Sequence, residues 1–349
     1  MVSPRRLSKT RLLAISVAVS VVSAVTIAAF WFHSAGTGTP ESAANVQVPP
    51  QSPALASAQP NPAPTDRELI EAKESLYNNI LIYKAGPRVQ LTFGYNRRIY
   101  TESTYNTEDP TELTAYPRLM TVGVMYPRNV GSILEIGLGG GRIASYLQHY
   151  IPNVAITSVE LDPDVIRMAK KYFEVQEGPT FKIVQRDGRL FLTQDRQRYD
   201  IIMVDAYRGP FVPFHLVTKE FYELVRQHLS EGGIAIENIA TGTKLFDATV
   251  KTLQSVFSQV EFYRDGASVI TVSYEGPPRS QEELLSLAEE RQPAFGFRYD
   301  LRDLLQKRQR ITADSTVIDP KARILIDNFA PVESLHAIEE NNRKWPDPL

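Results

Sequence analysis

A short apolar stretch at residues 133–136 runs into Gly137-Leu138-Gly139-Gly140-Gly141 and leaves it as a helical stretch at 143–150. No other feature restricts the fold of this chain as strongly. Glycine reaches positive φ without a Cβ penalty and lets backbone approach a ligand closely. A strand, a glycine turn and a helix in that order open the nucleotide-binding half of an open α/β sheet. The pattern beyond it alternates. Strands are predicted at 154–160, 181–185, 199–204 and 234–239, and helices at 163–173, 189–192, 219–229 and 245–257. Gly232-Gly233 are read as closing the helix at 219–229, with His228 in its last turn, where a helix dipole favours it. Such alternation predicts a mostly parallel sheet covered by helices on both faces. Strands at 260–263 and 269–274, close in sequence, would add an antiparallel edge.

The segments before the glycine turn differ in kind. Arg5, Arg6, Lys9 and Arg11 precede an uncharged apolar run at 12–32, long enough to cross a bilayer core as a helix. Trp31 and Phe32 close it where interfacial aromatics are common. Residues 1–33 are therefore expected to be a cytoplasmic stub and signal anchor, placing the remaining chain on the non-cytoplasmic side. Residues 34–65 are rich in Pro, Ala and Ser and read as a disordered tether. A polar helix is predicted at 66–77, then strands at 79–83, 88–93 and 98–101 separated by Gly-Pro and Gly-Tyr-Asn turns, and a helix at 111–126. Residues 66–128 would thus hold a small N-terminal sheet, 129–278 the main α/β domain, and 279–349 a C-terminal tail with helices at 280–290 and 299–307.

Three acids end successive predicted strands: Glu160, Asp187 (followed by Gly188) and Asp205. Ligands of open α/β sheets bind outside the carboxyl ends of the strands, so these carboxylates should converge there. Glu160, about 20 residues after the glycines, can accept from two ribose hydroxyls. Asp187 can meet an adenine amino group. Asp162 and Asp164 read as caps of the following helix. The loop supplies only Arg142 as a cation, which disfavours a phosphate-bearing dinucleotide, whereas acids suit a positive sulfonium. The expected fold is therefore class I S-adenosylmethionine methyltransferase-like (Rossmann-like), with Gly137, Gly139, Gly141, Glu160, Asp187 and Gly188 as cofactor-binding residues. The chain has no cysteine, which excludes disulfides and cysteine nucleophiles, and its five histidines lack paired ligand spacing, so no metal is expected. A net charge of −2 gives no field for nucleic acid.

The glycine loop, Val159-Glu160-Leu161-Asp162, Arg186-Asp187-Gly188, the run from Tyr199 to Asp205 and Glu220-Phe221-Tyr222 together resemble the spermidine synthase (polyamine aminopropyltransferase) family. The segments Val212-Pro213-Phe214-His215-Leu216 and 325–333 look like a bacterial membrane-associated branch of it. The resemblance implies that Asp205 accepts the acceptor's proton, and that Tyr116 and Tyr207 lie on the acceptor side. Where the family carries two amine-binding aspartates, this chain has Gly140 and Arg208; beside Tyr116 it has Pro117 in place of histidine. No counterpart of the family's donor-binding glutamine stands out near 98–101. Nucleoside-binding acids are kept and diamine-binding acids are lost.

The function expected is transfer of an aminopropyl group to an amine other than putrescine, with S-adenosylmethionine or its decarboxylated form as co-substrate. The alternatives are an S-adenosylmethionine-dependent methyltransferase and a catalytically inactive nucleoside-binding scaffold, since fold alone does not choose between them. The expected partners are a small-molecule amine, a membrane through the N-terminal helix, and a second copy in a homodimer by family analogy.

Overall fold

The computed structural model describes residues 67–337 apart from 96, 267 and 310–316. The apolar run at 12–32 and the tether at 34–65 lie outside them. Among the described residues, no helix is long and apolar enough to cross a membrane.

Four strands form a small antiparallel sheet in chain order: β1 (Glu68–Glu74), β2 (Asn79–Ala85), β3 (Arg88–Tyr95) and β4 (Arg98–Asn106). The helix expected at 66–77 is not there. Its residues favour helix locally, but β2 offers an open edge, and Glu68–Glu74 pair along it with one irregularity between Leu69 and Glu71. Tertiary contacts overrule propensity here. The Glu71 carboxylate is gripped by Arg167 (2.8 Å), Lys171 (2.6 Å) and Tyr172 (2.6 Å) from the main domain. The single helix expected at 111–126 is also divided, into α1 (Ala115–Met120) and a 3-10 turn (Thr121–Met125). Gly123 weakens helix there, and the buried Arg291 draws the carbonyls of Val124, Pro127 and Arg128 into hydrogen bonds of its own.

The main sheet follows the expected alternation. Its five parallel strands are β5 (Ser132–Ile136), β6 (Ala155–Glu160), β7 (Phe181–Gln185), β8 (Tyr199–Val204) and β9 (Leu229–Ala240). The antiparallel edge comes from β10 (Gln259–Asp265), β11 (Ser268–Tyr274) and the two-residue β12 (Arg308–Gln309). The strand order is β12-β10-β11-β9-β8-β5-β6-β7. The chain builds outward from β5 to β7, then crosses back to β8, so the crevice between β5 and β8 is a topological switch point, the usual ligand position in such sheets.

The helices between strands are α2 (Arg142–Tyr150), α3 (Pro163–Tyr172), α4 (Gly188–Gln194), α5 (Lys219–Gln227) and α6 (Lys244–Val256). Two apolar clusters line the two sheet faces. One includes Ile133, Tyr146, Leu147 and Phe173, the other Leu134, Val204, Phe221 and Phe246. Gly232 and Gly233 do not close α5. They lie inside β9, where the register against β8 jumps between Tyr199 and Ile201 and the extra residues bulge outward at Gly232, φ +73°. His228 instead caps α5, with Nδ1 2.8 Å from the Leu224 carbonyl. The tail contains α7 (Gln281–Phe295), α8 (Leu301–Leu305) and α9 (Val332–His336). It is less irregular than its sequence suggests beyond 308.

Candidate active site

One large cleft opens at the carboxyl ends of β5, β6 and β8, with a volume of about 1390 Å³. β4 of the small sheet walls one side, and residues 330–334 of the tail wall another.

The glycine turn is held by close packing. A Cβ on Gly137 (φ +94°) would lie 2.3 Å from the Asp205 carbonyl oxygen, so only glycine lets β5 pass β8 here. The Asp205 N–H donates to the Ile136 carbonyl at 2.9 Å, fixing the two strand ends together. Gly137 and Gly139 line the cleft; Gly141 does not. It caps α2 at φ +63° and packs on Val175. Gly140 is set back as well. Its N–H donates to Ser103 Oγ at 2.8 Å, and a Cβ there would sit 2.7 Å from both Ser103 Cβ and the Phe173 ring. The position expected to have lost an amine-binding aspartate has no room for a side chain.

Glu160 ends β6 with both carboxylate oxygens engaged: one accepts from Leu138 N–H at 3.0 Å, the other from Asp162 N–H at 2.9 Å. Burial nevertheless raises its pKa above the ordinary value. Asp187 caps α4 through Leu190 N–H at 2.9 Å, and its other oxygen lies 2.7 Å from His215 Nε2. Burial would raise this carboxyl, but the hydrogen bonds from His215 and Leu190 outweigh it and hold the pKa low. Gly188 packs against Ile136, with a virtual Cβ 2.3 Å from Ile136 Cγ2. Asp162 caps α3 as expected and accepts from Ser75 and Asn78 as well.

The acceptor side is differently built. Asp205 accepts from Asn238 Nδ2 at 3.1 Å, and burial pushes its pKa up to about 6 against the pull of Asn238 and the Tyr116 hydroxyl. Tyr116 O–H donates to the Glu102 carbonyl at 3.1 Å, and Tyr207 O–H donates to the Asn238 carbonyl at 2.7 Å. Both tyrosines line the cleft with Asp205. Glu102, on β4, points one carboxyl oxygen into the protein with no hydrogen-bond partner among the described residues. Burial, then the neighbouring Asp205, drive its pKa well above the ordinary value. Two further buried acids stand behind. Glu135 bonds Ser158, and Glu237 accepts from Tyr222 at 2.9 and 3.1 Å. Burial lifts each to about 8, and Asp205 adds to both. Asp205, Glu102, Glu135 and Glu237 thus crowd one low-dielectric region, where burial favours the neutral form of each and leaves Asp205, with the lowest of the stated values, as the group that ionises most readily near neutral pH.

Sequence reasoning overlooks Glu102, His215 and the tail. Glu102 carries no motif and lies in a strand whose predicted length stops at 101. His215 is quoted with its neighbours in the resemblance but has no visible partner until the fold sets it on Asp187. The tail is clasped by Arg189, which holds Asp327 at 2.6 and 2.7 Å, with Thr218 adding 2.8 Å. No cluster of His, Cys, Asp and Glu suited to a metal occurs among the described residues.

The fold, with its cleft at the carboxyl ends of β5, β6 and β8, defines a Rossmann-like α/β class. Comparison narrows it. Residues 114–274 match the spermine/spermidine synthase domain model. The polyamine aminopropyltransferase of Vibrio vulnificus is 30% identical over 281 residues, 76% of this chain and 91% of that one. A probable spermidine synthase of Corynebacterium glutamicum has the same fold, with TM-score 0.56 at 20% identity, covering 72% of this chain and all of that one. A spermidine synthase solved with the transition-state analogue AdoDATO superposes with TM-score 0.52 at 20% identity, covering 66% and 80%. The chain belongs to the spermidine synthase (polyamine aminopropyltransferase) family and is a transferase. The methyltransferase and inactive-scaffold readings are not favoured.

Proposed function

We propose that this chain moves an aminopropyl group from decarboxylated S-adenosylmethionine to an amine other than putrescine. The observation that carries this reading is Asp205, held at a strand end on an acidic floor with a pKa of about 6. A base poised near neutral pH is what proton removal from an amine requires. Glu160 and Asp187 retain free lone pairs for ribose and adenine beside Gly137, Gly139 and Gly188. An ionised Asp205 suits a donor bearing a sulfonium and an ammonium.

In the step itself, the amine nitrogen attacks the carbon beside the sulfonium. The carbon–sulfur bond breaks with its electron pair going to sulfur, leaving neutral methylthioadenosine. The proton lost from nitrogen passes to Asp205. Asn238 hydrogen-bonds Asp205 and so positions the base, with the Tyr116 hydroxyl beside it. Putrescine is disfavoured because Gly140 leaves no space for a second amine-binding acid and Arg208 stands where another would be needed.

Calorimetric titration of the full-length chain with methylthioadenosine, decarboxylated S-adenosylmethionine and S-adenosylmethionine tests the reading. Tightest binding of either of the first two supports it; a preference for S-adenosylmethionine turns the assignment to methyl transfer. We also propose that residues 12–32 anchor the protein, as a homodimer, with its catalytic domain outside the cytoplasm. The apolar run behind its arginine-rich flank supports the anchor, while the dimer rests on family analogy. A reporter fused after Leu349 that is active only in the cytoplasm rules out this orientation, and light scattering of the purified protein tests the dimer.

A further inference from the structure

The cleft is acidic at its floor and basic at its mouth. Glu102, Glu135, Glu160 and Asp205 line the former, and Arg97, Arg98 and Arg208 the latter. These arginines are brought together by two short backbone units. The far end of the β3–β4 hairpin, where Tyr95 pairs with Arg98, presses on the turn at 208–211. The rings of Tyr95 and Phe211 meet edge to face with centroids 5.2 Å apart. A Cβ on Gly209 would lie 3.4 Å from Tyr95 Cβ and 3.5 Å from the Tyr100 ring. The turn is closed by hydrogen bonds of 2.7 and 3.3 Å between the backbones of Arg208 and Phe211.

All three guanidinium groups are exposed, and none has a carboxylate or hydrogen-bond partner among the described residues. Four other arginines are answered, Arg88 by Glu112, Arg167 by Glu71, Arg189 by Asp327 and Arg298 by Asp109, while Arg186, exposed beside Asp187 in the same cleft, has no side-chain partner among the described residues. Cations gathered on one rim without a counter-ion concentrate anions there. The guanidinium fork also matches a carboxylate with two parallel hydrogen bonds. Arg208 follows Asp205 by three residues, so an acceptor with its amine at Asp205 can reach toward the arginines with its other end.

We infer that the acceptor is an amine carrying a carboxylate at its far end, an ω-amino acid, whose carboxylate is held by Arg208 together with Arg97 and Arg98. The inference rests on the aminopropyl-transfer reading of the same cleft. The step is the one already written: the amine end forms the new carbon–nitrogen bond and gives its proton to Asp205, and the carboxylate is unchanged. A diamine of equal length would instead set an ammonium against three guanidiniums, a like-charge contact that discriminates strongly.

The test uses the full-length chain and matched pairs, 4-aminobutanoate with putrescine and 5-aminopentanoate with cadaverine. Binding is measured by calorimetry with methylthioadenosine saturating, and transfer by methylthioadenosine release from decarboxylated S-adenosylmethionine. The amino acid should bind at least about 10-fold tighter than its diamine, equivalent to about 1.4 kcal/mol. Arg208→Asp should reverse the order, Arg208→Lys should keep it with a smaller margin, and neither should alter methylthioadenosine affinity. Equal or tighter diamine binding, no binding of either member of a pair, or a preference that survives both Arg208→Asp and the Arg97→Ala, Arg98→Ala double variant overturns the inference. Selective amino acid binding with no methylthioadenosine release from any pair leaves the anion-reading mouth in place and removes the aminopropyl reading. Release with diamines alone does the opposite.

Discussion

The two halves of the cleft handle their carboxylates in opposite ways. On the nucleoside half, Glu160 and Asp187 have each oxygen engaged by a backbone N–H or by His215. On the acceptor half, Asp205 has a single amide hydrogen bond, from Asn238, and Glu102 leaves a buried oxygen without a partner among the described residues. Satisfied groups make a rigid, preformed socket, and under-satisfied groups hold free energy that a ligand can release. Binding should therefore be concentrated in the first half and chemistry in the second.

The largest test of that division is Asp205→Asn. Turnover should fall by roughly 10²–10⁴-fold, while methylthioadenosine affinity, read by calorimetry, stays within about 2-fold. A comparable loss of both would erase the contrast. Glu160→Gln should do the reverse. It weakens charge-assisted hydrogen bonds worth about 1.5–3 kcal/mol, so nucleoside affinity should drop roughly 10–100-fold, with kcat at saturating donor far less affected. Steady-state kinetics separate the two.

Gly140→Asp sharpens the comparison from the packing side. If a missing carboxylate were all that separated this chain from diamine use, the substitution would create it. The Phe173 ring and Ser103 instead occupy the space. The variant should lose about 1–3 kcal/mol of stability in chemical denaturation and gain no putrescine-dependent methylthioadenosine release.

The smallest expected effects concern pH. A base must be ionised to work, so kcat/KM should rise as pH climbs through about 6, the pKa of Asp205 in the free protein. Stability should move the other way. The native Asp205 carboxyl keeps its proton to higher pH than the unfolded chain does, so stability falls as pH rises from about 4 to about 6. Asp205→Asn should remove that slope and stabilise the protein above pH 6 by about 1–3 kcal/mol, less whatever cleft water screens. Thermal melts at pH 4 and 8 show whether wild type and variant converge at the lower value.

What sequence made visible follows the same division. The parallel strands are short apolar runs bounded by turn residues, and the ends of three of them carry Glu160, Asp187 and Asp205. Local pattern was enough, because these features repeat at the spacing of the fold. Glu68–Glu74 were misread because seven residues with good helix propensity became a strand only when β2 presented an edge to them. Gly232-Gly233 were misread because a bulge and a helix stop use the same residues. Glu102, the arginine mouth and the bond from His215 to Asp187 depend on segments far apart in the chain meeting at one place, and no spacing in the sequence records those meetings.

The clasp between Arg189 and Asp327 has a consequence in time. A ribosome at ~5–20 residues per second releases the glycine turn and Asp205 several seconds or more before the segment that walls the cleft. Until Asp327 emerges and docks, the nascent chain has its base and its nucleoside acids but an open side. The pocket is therefore completed only by a segment made more than a hundred residues after Asp205, and a chain stopped short of Asp327 would fold its sheet yet never finish its pocket.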